Sequence, residues 1–287
     1  MAERILNGEH ELTVWNRTPA KMTPLVAAGA IGATSLYDLA QRSDIVCVCV
    51  DSAAAVERVL FESDGVAHAK AKPRLVVDHS TIHPDKAIEF ARRLRQSGIA
   101  MIDAPVSGGA IGARAGVLAV MVGGDAADVT DARPVISCYA GKITHMGPIG
   151  SGQATKACNQ IINFGTLASI AEGLALGAAF GLDIQRLPEA LAGGFADSNM
   201  LREYARGAAG GDRPYMTYMI NWLVSLCRGQ LEPAAAGRMT MVLKDLGIVS
   251  ELARARGTSV AITDLVESFF RTLHSQNIGQ SVETKSQ

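Results

Sequence analysis

Cysteine is scarce and unpaired in this chain. The five residues, Cys47, Cys49, Cys138, Cys158 and Cys227, are odd in number and include no Cys-x-x-Cys pair. That argues against a disulfide framework and a thiolate metal site, and reduced thiols in a cytoplasmic protein are the simplest reading. Charge of one sign is missing too: 27 basic residues stand against 28 acidic ones, a net of −1. No basic surface advertises nucleic acid or an anionic membrane. His79 and His83 have the spacing of ligands on a helix, but Ser80, Thr81 and Pro84 beside them argue for a loop, so no metal is expected. Nowhere does the chain carry Gly-x-Gly-x-x-Gly. Gly147-Pro-Ile-Gly-Ser-Gly152 lacks that order, and lacks the Lys-Ser/Thr ending of a phosphate loop. It reads as an interdomain hinge that starts a helix. Glu3, Arg4 and Glu9 do not make the pattern of a secretory signal.

What is present is length and apolar content. With 287 residues, 48% of them hydrophobic, the chain can bury two cores. β-rich runs at Leu12–Trp15, Ile45–Val50, Leu75–Asp78, Ala100–Asp103, Val117–Val122 and Ile143–Met146 alternate with helical stretches. The helices are expected at Pro19–Ala28, Leu36–Gln41, Ala53–Phe61, Pro84–Ser97 and Ala126–Cys138. Ile45-Val-Cys-Val-Cys-Val50 is continuously apolar, which suits a parallel strand covered on both faces. The alternation predicts an α/β, doubly wound parallel sheet over residues 1–149. An all-α domain follows over 150–287, and its last dozen residues, Gln276–Gln287, are expected to be loose. From Ala157 to Leu182 the only charge is Glu172, long enough to span a bilayer. Asn159, Gln160, Asn163 and the scattered glycine and alanine favour a helix buried on all sides instead.

The chemistry-bearing segments are two. Asp103-Ala-Pro-Val-Ser-Gly-Gly109 is a glycine-rich turn, and about forty residues later comes Gly150-Ser-Gly-Gln-Ala-Thr-Lys-Ala-Cys-Asn-Gln160. Lys156 falls one turn inside the predicted helix, with Asn159 on its face. A lysine and a carboxamide so placed can hold one substrate oxygen, and Ser107-Gly108-Gly109 can offer backbone N–H groups to a carboxylate. Together they point to proton transfer on a small hydroxy or oxo acid.

These segments, with Val14-Trp-Asn-Arg-Thr18, Asp78-His-Ser-Thr-Ile-His-Pro84 and Lys244-Asp-Leu-Gly-Ile248, closely resemble the β-hydroxyacid dehydrogenase family. That family includes 3-hydroxyisobutyrate dehydrogenase and tartronate semialdehyde (2-hydroxy-3-oxopropionate) reductase. The resemblance implies a Rossmann-like NAD(P)-binding domain followed by a helical domain that dimerises or tetramerises. It implies Lys156 as general acid and base, and Ser107, Gly108, Gly109 and Asn159 as substrate ligands. Val50, Asp51 and Thr81 would lie along the cofactor, and Lys244 at the cofactor–substrate junction. Asn16-Arg17-Thr18 ends the second strand of the family, where an acid would mark an NAD site; Arg17 instead suits the 2′-phosphate of NADP, with NAD still possible. Gln160 occurs here as in the tartronate semialdehyde branch. Lys156 disfavours imine reduction, since imine reductases on this scaffold generally replace it.

The resemblance also implies a first strand and glycine turn ahead of Met1-Ala-Glu-Arg-Ile-Leu-Asn-Gly8, with Gly8 as that helix's stop. Either the chain is a truncated or mis-started active enzyme or it is a cofactor-free relative; retention of the downstream site residues favours the first. The two strands flanking the first one should then have exposed edges. Ala205–Gly237 is longer than the corresponding stretch of the family, with room to reshape the pocket or a subunit contact.

Overall fold

In a computed structural model, residues 1–283 are described except for 9, 211–213 and 231–235. Two compact units divide the chain, Met1–Lys156 and Ala157–Gln287.

The first unit is built on parallel strands β1 (Thr13–Val14), β2 (Ile31–Gly32), β3 (Ile45–Val48), β4 (Leu75–Asp78) and β5 (Ala100–Asp103). Among the described residues β1 pairs with β2, while β3, β4 and β5 run side by side in register, Val48 beside Asp78 beside Asp103. The expected doubly wound parallel sheet is present in β3, β4 and β5, and beyond β5 it becomes mixed. There β7 (Leu118–Gly123) pairs antiparallel with both β5 and β6 (Val106–Ser107), and β8 (Ala140–Gly147) adds parallel to β7. The reason is local: β6 and α6 (Gly109–Ala115) lie between β5 and β7, and the chain returns through α6 so that β7 runs back antiparallel along β6.

Side chains on the central strands alternate between two cores, as period-2 geometry requires. Val46, Val48, Val76 and Met101 meet Val56 and Leu60 of α4 (Ala53–Phe61) and Phe90 and Leu94 of α5 (Pro84–Gln96). Leu75, Val77, Ile102 and Val122 point the other way, onto Val129 and Ile136 of α7 (Ala126–Ser137). Each fully buried aliphatic contributes about 1.5–3 kcal/mol. α5 starts where His83 accepts from the Asp85 N–H at 3.2 Å, with Pro84 as its first residue.

Smaller corrections follow turn chemistry. The helix expected over Pro19–Ala28 is a 3-10 turn, Pro19–Lys21, and then α2 (Thr23–Ala27); Pro24 has no N–H to continue one ladder across both. α1 (Ala2–Leu6) is capped at Asn7 in the right-handed region, so Gly8 is not a left-handed stop; its N–H closes the turn on Ile5 O at 3.0 Å. α3 (Leu36–Gln41) begins with Ser35 accepting from the Asp38 N–H.

Among the described residues, no strand pairs with the outer edge of β1 or of β3. Between β1 and β3 runs a cleft of about 880 Å³, lined by Leu12, Val14, Ile45, Cys47 and Cys49 among others. In a doubly wound order this is the position of one further strand.

The second unit is helical. α8 (Ser151–Ala179) begins in the first unit and continues into the second. It is followed by α9 (Leu187–Leu191), α10 (Asn199–Ala208), α11 (Pro214–Cys227), α12 (Ala236–Ala255) and α13 (Ala261–Glu283). Phe164, Leu167, Ala171 and Leu174 form a stripe at helical spacing that packs with Trp222, Leu223, Leu246 and Phe270. α8 is therefore not buried on all sides: Ile162 and Leu176 remain 69% and 62% exposed, because only one stripe meets other helices. By length and composition alone it is the one described helix that could cross a membrane. The tail expected to be loose from Gln276 is helical to Glu283, and 284–287 lie outside the described residues. So do parts of the long Ala205–Gly237 stretch, whose remainder includes the end of α10 and all of α11.

Candidate active site

Three parallel strands deliver short turns to one end of the first sheet. β5 ends in Asp103, then Ala104 and Pro105 are buried, and β6 carries Ser107 to Gly108 and Gly109. Gly108 (φ +127°) and Gly109 (φ +62°) turn the chain into α6 with backbone angles that side-chain-bearing residues rarely adopt. Lys156 comes back to this turn. It is only 7% exposed, and its Nζ donates to Val106 O at 2.8 Å, next to Ser107. A lysine so deeply covered is unusual without a role.

What aims Lys156 is the start of α8. The Asp103 carboxylate receives the Gly150 N–H at Oδ1 and the Gln153 N–H at Oδ2, both at 2.7 Å. Two first-turn donors are thereby satisfied by an acceptor from another strand. In the Gly147–Gly152 segment, Gly150 is buried, and an added Cβ at Gly152 would lie 2.5 Å from Met121 O. Burial raises the Asp103 carboxyl to about 6 against the opposing pull of these N–H groups. Asp78, its neighbour in register, is raised by burial to about 7, and its Oδ2 has no hydrogen-bond partner among the described residues.

The turn after β4 is tied to the same helix. Gln153 accepts from the Ile82 N–H at 3.1 Å and donates to Ser80 O at 2.7 Å, leaving half-buried Thr81 between the two contacts. Ser80 Oγ accepts from the Val50 N–H at 3.0 Å, which attaches the turn after β3. Asp51 beside it is exposed and meets the Ser52 hydroxyl, the cap of α4. After β1, Asn16 Oδ1 accepts from the Thr18 N–H at 2.9 Å, a local turn that leaves Arg17 exposed at its tip.

His79 lies at the edge of this region rather than in a ligand set. Its ring nitrogens meet Ala104 O at 2.6 Å and Tyr139 Oη at 2.8 Å, and burial lowers it to about 4.

In the second unit the Asn159 side chain donates to Gln160 Oε1 at 2.7 Å, and Gln160 donates to Asp245, which pairs with Lys244 at 3.1 Å. Asn159 and Lys244 are thus ends of one polar chain, with Gln160 and Asp245 buried in its middle. Sequence reasoning missed Asp103, Gln153 and Ser80 as organisers. The polar character of Gln153, one of three buried polar residues near the start of α8 with Lys156 and Gln160, is the signal that could have flagged one of them.

The donor set fits a dinucleotide with a phosphorylated ribose: an exposed guanidinium at Arg17, and Val50, Asp51 and Thr81 on turns that follow parallel strands. Comparison with known proteins gives the family. Residues 1–147 match the model of the NAD-binding domain of 6-phosphogluconate dehydrogenase. Residues 150–216 match that of the NAD-binding region of NADP-dependent 3-hydroxyisobutyrate dehydrogenase. This chain belongs to the β-hydroxyacid dehydrogenase family. It is an NAD(P)-dependent oxidoreductase acting on hydroxy acids, with a Rossmann-like domain and a helical region. An NAD-dependent L-serine dehydrogenase of Pseudomonas aeruginosa is 33% identical over 98% of this chain and 90% of its own length. The 2-hydroxy-3-oxopropionate reductase of Escherichia coli is 37% identical over 70% of this chain and 68% of its own. A 3-hydroxyisobutyrate dehydrogenase structure from Salmonella typhimurium, 28% identical, covers 94% of this chain and 88% of its own, with a TM-score of 0.75.

Proposed function

We propose that this enzyme interconverts a small β-hydroxy acid and its semialdehyde with NADP(H), using Lys156 as the proton carrier. One observation carries the reading: Lys156 is buried and donates to Val106 O, the residue that precedes the Ser107–Gly109 turn, where a substrate carboxylate would find backbone donors. A bound nicotinamide supplies the hydride. In reduction, the Lys156 ammonium gives its proton to the carbonyl oxygen; in oxidation, the neutral amine takes it back from the hydroxyl. Ser107, Gly108 and Gly109 would bind the carboxylate, and Asn159 the reacting or neighbouring oxygen. Arg17, with Asn16 and Thr18, would take the 2′-phosphate. Val50, Asp51, Thr81 and Lys244 would line the cofactor. Residues 1–149 serve as the cofactor domain and 150–287 as the substrate and dimerisation domain. Exposed Ile162, Leu176, Phe180, Ile262 and Leu265 in the helical unit support a homodimer or homotetramer, readable by light scattering. The free thiols suit a cytoplasmic setting.

Turnover of 3-hydroxyisobutyrate, L-serine and 2-hydroxy-3-oxopropionate with either cofactor tests the substrate class. Lys156→Ala is expected to lower kcat by about 10²–10⁴-fold with cofactor binding nearly intact. Lys156→Arg should be poor too, because a guanidinium does not release its proton near neutral pH. Near-normal kcat in Lys156→Ala would overturn the assignment.

A further inference from the structure

We infer that Gln153 is a positioning residue that locks the turn carrying Thr81 to the helix carrying Lys156. Proton donor and cofactor-side wall are thereby held in one geometry. The inference rests on the function proposed for Lys156.

Gln153 is 2% exposed, with its backbone N–H committed to the end of β5 and both ends of its side-chain amide to the turn after β4. Its N–H goes to Asp103 after β5; its Oε1 and Nε2 take Ile82 N–H and Ser80 O after β4. Ser80 extends the tie to Val50 after β3, and its N–H rests on Asp78 Oδ1 at 2.9 Å. Anchoring the helix alone would not require this side chain, since Asp103 already receives two of its first-turn N–H groups. The amide instead bridges residues on either side of Thr81, three positions from Lys156 on the same helix. In a dry interior such bonds have no water to substitute for them, so the two sides move together. The chemistry is specific to glutamine. Asparagine is one methylene short, methionine leaves Ser80 O and Ile82 N–H unsatisfied, and ionised glutamate sets a negative oxygen against Ser80 O.

The test uses the full chain, NADP(H) and whichever of the three acids above turns over fastest. Gln153→Met is expected to lower kcat about 100-fold, the usual effect of misplacing a reacting group by about an ångström, with KM changed less than about threefold. If Gln153 acts through Lys156, the Gln153→Met/Lys156→Ala double variant should be no slower than Lys156→Ala alone. In Gln153→Glu only the protonated carboxyl both accepts from Ile82 and donates to Ser80. Its kcat should therefore recover as pH falls, along a limb that the wild type lacks, while thermal unfolding shows it folded throughout. This limb decides the matter if Gln153→Met fails to fold. A Gln153→Met kcat within about threefold of wild type, fully multiplicative losses in the double variant, or a wild-type pH profile in Gln153→Glu would each overturn the inference. If any of these occurs while Lys156→Ala is inactive, the lysine assignment survives. Wild-type kcat in Lys156→Ala would overturn both.

Discussion

Replacing Gly152 by alanine adds one methyl where there is no room for it. The new Cβ would lie 2.5 Å from Met121 O, 2.7 Å from Asp103 O and 2.8 Å from Asp103 Oδ2, whereas ordinary contact begins near 3.4 Å. Two of these neighbours are backbone atoms of the central sheet, which cannot swing aside as a flexible side chain could. The start of α8 must therefore retreat by roughly 0.9 Å, which stretches the Gly150 and Gln153 N–H bonds to Asp103 beyond useful range. Overpacking of this kind costs about 1–3 kcal/mol, and weakening hydrogen bonds to a carboxylate takes the upper end of that range. At about 2–4 °C per kcal/mol, a loss of about 3 kcal/mol lowers the melting temperature by about 6–12 °C. Lys156 sits one turn along the displaced helix, so kcat should fall about 100-fold as well. Gly165→Ala is the control: on the same helix its Cβ meets nothing within 4 Å, and it should stabilise by about 0.5–1 kcal/mol. Calorimetry and steady-state turnover on both variants decide the point. Wild-type melting and kcat in Gly152→Ala would refute the claim that this glycine sets the helix against the sheet.

Arg17→Asp should shift the ratio of kcat/KM from NADP(H) toward NAD(H), since a phosphate clamp becomes a ribose acceptor; an unchanged ratio would make Arg17 a surface residue. Asp78, raised by burial to about 7, stabilises the fold fully only below its unfolded value near 3.8 and loses that contribution as pH rises through 7. Wild-type melting should thus decline across this window, by up to about 4 kcal/mol of stability, and Asp78→Asn should flatten the decline; equal slopes would refute the assignment.

Where local pattern decided structure, the sequence was readable to the residue. Leu75–Asp78 and Ala100–Asp103 are apolar runs ending in an acid, and Ala53–Phe61 follows a capping serine; all three match their observed bounds. Ile31–Gly32 and Val106–Ser107 escaped notice because a two-residue ladder leaves no periodicity. The antiparallel pairing of β7 likewise depends on where the chain returns, not on its composition. Lys156 and the Ser107–Gly109 turn stood out as motifs, and the fold brings them together at Val106 O. The groups that hold them did not stand out. Gln153 reaches partners more than seventy positions earlier, and no spacing rule relates a helical glutamine to the carbonyl of Ser80. Asn159 was read as facing a substrate, while its amide in this structure leans on Gln160.

The anchoring of α8 has a consequence for anyone who cuts this protein apart. The two matched family regions meet between residues 147 and 150, which looks like a natural place to separate the halves. A fragment ending there would keep Asp103 in its interior but lose Gly150 and Gln153, the two donors that make its carboxylate tolerable. It would also strip Ser80 O and the Ile82 N–H of their partner. The excised piece should behave as a weakened, aggregation-prone protein whose defects say nothing about the intact enzyme. Carrying the fragment through Lys156 retains every one of these bonds, so the first compact unit includes the opening turns of a helix that, by sequence alone, belongs to the second.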